Sequence, residues 1–443
     1  MRRVLLASVL SVVAMIGMLT APLACAQTPA IPDTPAGVVL KAWLDAFNSG
    51  DSARMEAYYQ KYQPDMNAAN QLRFRDQTGG FDLLSIERSD PTRLLFTAKE
   101  HKGETTAFGL IEVSPTEHNK VTTWRLQAMG ANVPASATHI DAAERARVID
   151  GAIAQLGEFY VFPDVAKRMG DSLHARAGRG AYDADDNGLI FALQLNDELR
   201  AISHDKHLRV DFSARALPPQ PAAPPRRTPE VIARQQAQMD AINCGFDKAE
   251  VLPDNVGYLK FDMFADPELC GPTAAAAMSF LAGTRALIID LRENGGGSPA
   301  MVTYVASYLF SKRTHLNDLW ERKSGGTEEF WTRDSLPGRK FGGEKPVYVL
   351  TASRTFSGAE EFSYDLKTQK RATIVGETTG GGAHPVSGHR IDEHFIIGVP
   401  MARAINPITH TNWEGVGVEP DVKVPAAEAL TTAQKLIRQK TQP

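Results

Sequence analysis

Four short stretches hold the residues whose types and spacing could do chemistry. Ser357 stands in TFSGAEEF, just after the apolar run Val347–Thr351, with Glu360 three residues on. Read alone, S-x-x-E ahead of Phe362 and Leu366 is a capping box. A helix N-terminus also presents free N–H groups and a positive dipole end, which suit the oxyanion of acyl transfer, with the N–H of Gly358 as a ready donor. A base separates the two readings, because general-base help contributes roughly 10²–10⁴-fold and a serine without it is nearly idle. His204 and His207 in SHDKHL offer that base. Their spacing would also suit a metal pair, but no third ligand cluster accompanies them, so no metal is expected. In DLRENGGGSP (Asp290–Pro299) an apolar strand ends in an acid and then three glycines, which let backbone N–H groups approach a ligand closely. A plain strand-to-helix turn reads the same way. A nucleotide loop does not, since GxxxxGK[ST] is absent and GGGSP fails the spacing of GxGxxG. In NPITHTNWEGVGVEPDV (Asn406–Val422), Glu414 is either the carboxylate that holds the base or a solvated loop acid.

The elements that must position these residues follow from pattern. The 443 residues predict two or three domains, and 43% hydrophobic with 23% charged residues is an ordinary globular composition. A net charge of −4 offers no electrostatic case for nucleic acid or an anionic membrane. Met1–Ala26 reads as a signal peptide, with Arg2 and Arg3, an apolar run and Ala24-Cys25-Ala26 before Gln27, so no membrane span is expected after its removal. That predicts a periplasmic or secreted protein. Cys244 and Cys270 then remain, either as a disulfide or as two buried thiols.

Amphipathic helices are expected at Ala36–Phe47 and Ser52–Tyr62. Period-two strands follow at Leu83–Glu87, Arg93–Ala98, Thr106–Val113 and Val121–Gln127, which together predict a small α+β domain over 35–130. Residues 140–212 read as a helical segment and 213–246, with PPQPAAPPRR, as a Pro-rich linker. Over 247–430, continuous apolar strands such as ALIIDL alternate with helices. That pattern predicts an α/β core with a mostly parallel sheet and helices on its faces.

Taken in order, DLRENGGG, VLTASRTFSGAEEF, IVGETTGGG and WEGVGVEPDV resemble the C-terminal processing (tail-specific) family of serine peptidases. Within it they are most similar to the branch of tricorn core peptidases and interphotoreceptor retinoid-binding protein. The resemblance covers about 142–430 and implies a ClpP/crotonase-like core. It implies Ser357 as nucleophile and an oxyanion hole from Gly358 with Gly295 or Gly296. The tail-specific branch takes a lysine base from the glycine loop, but the matching residue here is Gly382, so a Ser/Lys dyad is not available. The histidine-using branch has D-x-H upstream, which Asp205-Lys206-His207 matches, making His207 the first choice of base and His204 the second. The branch's acid falls at Glu414. No cofactor is implied, and the partner is a peptide or protein substrate. The alternative is a non-catalytic protein of the same fold that holds a lipophilic or peptide ligand. No PDZ-like module is present between the helical segment and the core. KAWLDAFNSGDSARMEAYY resembles the opening of the cone-shaped nuclear transport factor 2-like domains, and without an acid/base pair there it is expected to be accessory.

Overall fold

Thr34 and Asp51 open the first two helices by accepting from the N–H groups of Gly37 and Arg54, as N-cap side chains do. The structure, a computed structural model, describes residues 29–440 apart from 65, 67, 118, 132–134 and 219–227. The expected leader at 1–26 and most of PPQPAAPPRR lie outside the described residues. Helices α1 (Pro35–Ser49), α2 (Ser52–Tyr62) and α3 (Ala68–Thr78) precede a four-stranded antiparallel sheet. Its strands are β1 (Phe81–Ser89), β2 (Arg93–Glu100), β3 (Thr105–Val113) and β4 (Val121–Ala131). Alternation decides its two faces. Leu94, Phe96 and Ile111 close over Trp43 and Phe47 of α1, while Leu95, Phe108 and Leu110 face the other way, into a second core. No helix was expected at α3, whose sequence AANQLRFRDQT has only a thin apolar stripe.

That second core belongs to α4 (Ala142–Phe159), α5 (Pro163–Ala177) and α6 (Gly188–Ser203), joined by β5 (Arg209–Phe212). Asn196 of α6 is buried and clamps β5 by both backbone groups of Val210, accepting at 2.6 Å and donating at 2.8 Å. The clamp closes the short turn 204–208, which carries Asp205 and His207. The segment 213–246, expected as a Pro-rich linker, is helical in part. It contains α7 (Pro229–Ala241), with Thr228 accepting from the N–H of Val231 at its start.

The central sheet begins with β6 (Phe246–Leu252) and β7 (Val256–Phe261), followed by α8 (Pro267–Leu281) and β8 (Ala286–Asp290). Next come α9 (Pro299–Ala306), β9 (His315–Glu321), β10 (Thr327–Trp331), β11 (Val347–Thr351), α10 (Gly358–Thr368) and β12 (Thr373–Gly376). The chain ends with β13 (Val386–Arg390), β14 (Phe395–Pro400), β15 (Ala402–Ile405), β16 (Val422–Lys423) and α11 (Ala429–Lys440). The sheet order is β16-β12-β11-β8-β7-β6, with every neighbouring pair parallel except the edge strand β6 against β7. This is the mixed α/β fold with a mostly parallel central sheet. β8 and β11 are buried throughout because both sheet faces are covered. Leu287, Ile289, Val347 and Val349 pack under α8, α9 and α10, whereas Ile288, Tyr348 and Leu350 pack under α11. β13 and β14 add to β5, and β9 pairs with both β10 and β15 in a separate small sheet.

Strand order follows chain order from β7 to β16, so the loops after β8, β11 and β12 all open at the C-terminal edge of the sheet. That edge is where ligand sites form in parallel sheets.

Candidate active site

Three strand ends and one distant turn converge at this edge. After β11 the chain turns through Ala352–Phe356 and enters α10 at Ser357, whose φ of 53° and ψ of −121° are rare for a residue with a Cβ. The turn is fixed from several sides. The N–H of Phe356 donates to the carbonyl of Asn294 (3.1 Å), and Thr355 Oγ1 donates to that of Leu291 (2.8 Å). The carboxylate of Glu360 accepts the N–H of Ser357 (2.9 Å). Glu360 is fully buried and also accepts from Thr379 Oγ1 (2.5 Å) and from the N–H groups of Gly381 (2.6 Å) and Gly382 (2.8 Å). One carboxylate therefore ties the start of α10 to the glycine loop after β12. Burial raises its pKa, and these donors pull it back down.

The loop after β8 brings the second set of glycines against Ser357. A Cβ on Gly296, where φ is +98°, would stand 2.6 Å from the nitrogen of Gly358 and 2.8 Å from Cβ of Ser357, so only glycine fits. Of the three glycines nominated for an oxyanion hole, Gly295 and Gly296 have their N–H groups already engaged. Gly295 donates to the carbonyl of Asp262 (3.2 Å) and Gly296 to Asn294 Oδ1 (2.8 Å). Among the described residues, the N–H groups of Gly297 and Gly358 have no acceptor. They lie close together, since a Cβ on Gly358 would be 3.1 Å from the nitrogen of Gly297. The close-approach role falls to Gly296 and the free donor to Gly297.

His204 and His207 part company in the turn after α6. His204 is the C-cap of α6, with φ 57°, and its side chain is exposed. His207 is turned inward. Its ring lies against that of Phe356, the residue before Ser357, with centroids 4.6 Å apart. A Cβ on Gly382 would meet His207 Cε1 at 2.7 Å and Phe356 Cζ at 2.3 Å. The histidine therefore occupies the space beside the position where a lysine base was looked for. Lys206 Nζ reaches the carbonyl of Gly380 (2.5 Å), and the N–H of His207 donates to Asp205 Oδ1 (2.9 Å). Burial lowers the His207 pKa from the usual 6.5 to about 4, against the pull of Asp205, so the ring is neutral at physiological pH. Its Nδ1 is buried with no hydrogen-bond partner.

Glu414 comes from the loop after β15, where Trp413 Nε1 donates to the carbonyl of Gly382 (2.8 Å). Its Oε2 accepts the N–H of Ala383 (2.5 Å) and lies 3.5 Å from Nδ1 of His384. Burial first, and then the nearby Asp205, raise its pKa to about 7, while His384 lowers it. Among the described residues no hydrogen bond joins Glu414 to His207. The partner of Glu414 is His384, a residue not singled out from sequence, although it stands directly after the glycine loop in GGGAHP. His384 Nδ1 is also 2.7 Å from Asp205 Oδ2. Asp205, His384 and Glu414 each place one ligand atom within 4.8 Å of the others, a spacing that a cation could bridge. His384 Nδ1 stands between the two carboxylates, within hydrogen-bond distance of Asp205 Oδ2 and further from Glu414 Oε2.

A cavity of about 390 Å³ opens nearby between Met66 and the core, with Arg292, Glu293 and Arg354 on its wall. Its ions are matched within the protein. Arg292 grips Asp290 through two nitrogens at 2.9 and 2.6 Å, and Arg354 reaches Glu293.

Residues 255–424 match the family model of Peptidase family S41. A chloroplastic carboxyl-terminal-processing peptidase 2 of Arabidopsis thaliana is 28% identical over 172 residues, 38% of this chain and 32% of that protein. A chloroplastic C-terminal processing peptidase of Tetradesmus obliquus is 27% identical over 217 residues, 46% of this chain and 44% of that protein. The chain thus spans less than half the length of either relative. A solved photosystem II D1 C-terminal processing protease aligns with 40% of this chain and 45% of its own, at 26% identity and a TM-score of 0.33. Among the described residues no helix is long and apolar enough to cross a membrane.

Proposed function

We propose that the chain is a serine peptidase with Ser357 as nucleophile and His207 as base, a reading supported by the match of residues 255–424 to the model of Peptidase family S41. Ser357 Oγ attacks the carbonyl carbon of a peptide bond while His207 takes its proton. The oxyanion that forms is held by the N–H groups of Gly358 and Gly297. The tetrahedral species collapses as His207 protonates the departing amine, which leaves an acyl ester on Ser357. Water attacks that ester with His207 again taking the proton, and the carboxylic acid product departs as the serine regains its hydrogen. Glu414 supports this base from a distance. No metal or organic cofactor takes part.

The observation that carries the reading is the half-buried ring of His207 packed against Phe356 and Gly382, next to a serine held in a strained turn. A helix cap alone needs neither an uncharged imidazole at its side nor a pair of free N–H groups. A location outside the cytoplasm is supported by the bond between Cys244 and Cys270, which suits an oxidising compartment.

Hydrolysis of an unfolded protein substrate tests the proposal. Cleavage is expected from the wild type and from His204→Ala, and is expected to be lost in Ser357→Ala and His207→Ala. Full cleavage by either of the last two variants would overturn the assignment. An inactive wild type that bound an apolar ligand tightly would favour a binding protein on the same fold.

A further inference from the structure

His384 takes no part in the steps above, yet it is only 3% exposed and stands between two carboxylates. Its Nδ1 lies 2.7 Å from Asp205 Oδ2 and 3.5 Å from Glu414 Oε2, while the ring of Phe162 meets it edge-on at 5.4 Å. With only carboxylate oxygens beside it, Nδ1 carries the proton. Asp205 is itself buried and uses its other oxygen, Oδ1, on the N–H of His207 at 2.9 Å. That contact across two residues is an Asx-type turn, and it sets the backbone from which the His207 ring projects.

On the reading of the site as a Ser357–His207 peptidase centre, we propose that His384 is a positioning residue, which grips Asp205 so that Asp205 holds His207 in line, and through which Glu414 acts. Two buried carboxylates this close repel each other, and an imidazole N–H between them offsets that repulsion. Remove the imidazole and Asp205 has no reason to keep one oxygen on His207. The Asx-type turn loosens and the His207 ring, whose Nδ1 has no partner of its own, loses its setting. The arrangement also accounts for an acid that reaches the base through two residues instead of touching its ring. The order of action is Glu414, His384, Asp205, His207.

The test is the rate at which a fluorophosphonate labels Ser357 in His384→Ala, His384→Asn and His384→Gln, with peptide KM measured alongside. An asparagine amide can stand where Nδ1 stands and donate to Asp205, whereas a glutamine amide is carried one carbon further. His384→Ala and His384→Gln are expected to slow labelling on the order of 10²-fold with KM unchanged, as a misplaced catalytic group does, and His384→Asn to recover much of the loss. Adding Asp205→Ala to His384→Ala should cost nothing more, because both break one chain of contacts. Wild-type labelling by a folded His384→Ala protein would overturn the proposal. If that variant does not fold, equal rates for the asparagine and glutamine variants would overturn it. Losses that multiply in the double variant would do the same. A wild type that takes no label at all would instead sink the Ser357–His207 reading beneath it.

Discussion

Ser357 occupies a backbone conformation that costs an L-residue about 1–3 kcal/mol, and such strain persists only where the surroundings over-determine it. Here the surroundings are Glu360, Asn294 and the close approach of Gly296. The neighbouring His207, the proposed base, is tuned by burial. The pKa of His207 in the folded protein is near 4 against an ordinary 6.5, so below pH 6.5 the unfolded chain takes up this proton first. Stability from this group is therefore lost as pH falls from about 6.5 towards 4, and the ring remains a competent base above that window. Titration of the His207 ring carbon–proton signal by NMR, assigned with His207→Ala, should show a midpoint near 4. A midpoint at or above 6.5 would contradict the buried setting. At this scale the motifs nominated Ser357, His207 and Glu414 from sequence. His384 escaped notice because its partner Asp205 lies 179 residues away along the chain. Gly297 escaped because which glycine N–H stays free depends on Asp262 and Asn294, and no local pattern announces that.

Among the elements, the loop after β8 is braced from behind. Gly295 donates to the carbonyl of Asp262, and Phe264 donates to the carbonyl of Gly296 (2.8 Å) and accepts the N–H of Ser298 (2.7 Å). The N–H of Asp262 donates in turn to the carbonyl of Gly245, next to the disulfide from Cys244 to Cys270 in α8. Breaking that bond frees a loop of 26 residues, which lowers stability by about 3 kcal/mol. We expect full reduction, or a Cys244→Ser/Cys270→Ser protein, to melt earlier and to label Ser357 more slowly even where the sheet remains folded. An unchanged labelling rate after complete reduction would show that the brace does not reach Gly297 and Ser357. The central strands were legible because ALIID and VYVLT are apolar on both faces, as only a parallel sheet under two helix layers requires. β13 (VSGHR) and β10 (TEEFW) were not, since both are short and largely polar on the outward side. β5 (RVDF) pairs with β14 far downstream, and no local signal reports that partner.

The whole molecule is knit more tightly than a peptidase core with an accessory appendage. Leu95, Phe108 and Leu110 of the first sheet share a core with α4, α5 and α6. Gln127 donates to the carbonyl of Phe212 (3.2 Å), and Arg93 pairs with Asp197 (2.5 Å). Since α6 leads directly into the turn bearing Asp205 and His207, the first sheet backs that turn. A protein lacking residues 29–131 would expose that apolar face. It should be poorly soluble or bind hydrophobic dye, which a sedimentation and dye-binding comparison with the intact chain would reveal. A soluble truncated protein that melts and labels like the intact one would show the first sheet to be dispensable. The central claim concerns the intact chain and one hydroxyl. The most direct measurement is mass spectrometry of peptides from wild-type protein treated with a fluorophosphonate, beside Ser357→Ala treated in the same way. The account predicts one phosphonyl adduct, on Ser357, and none in the variant. An adduct on another residue, or labelling that survives Ser357→Ala, would contradict it.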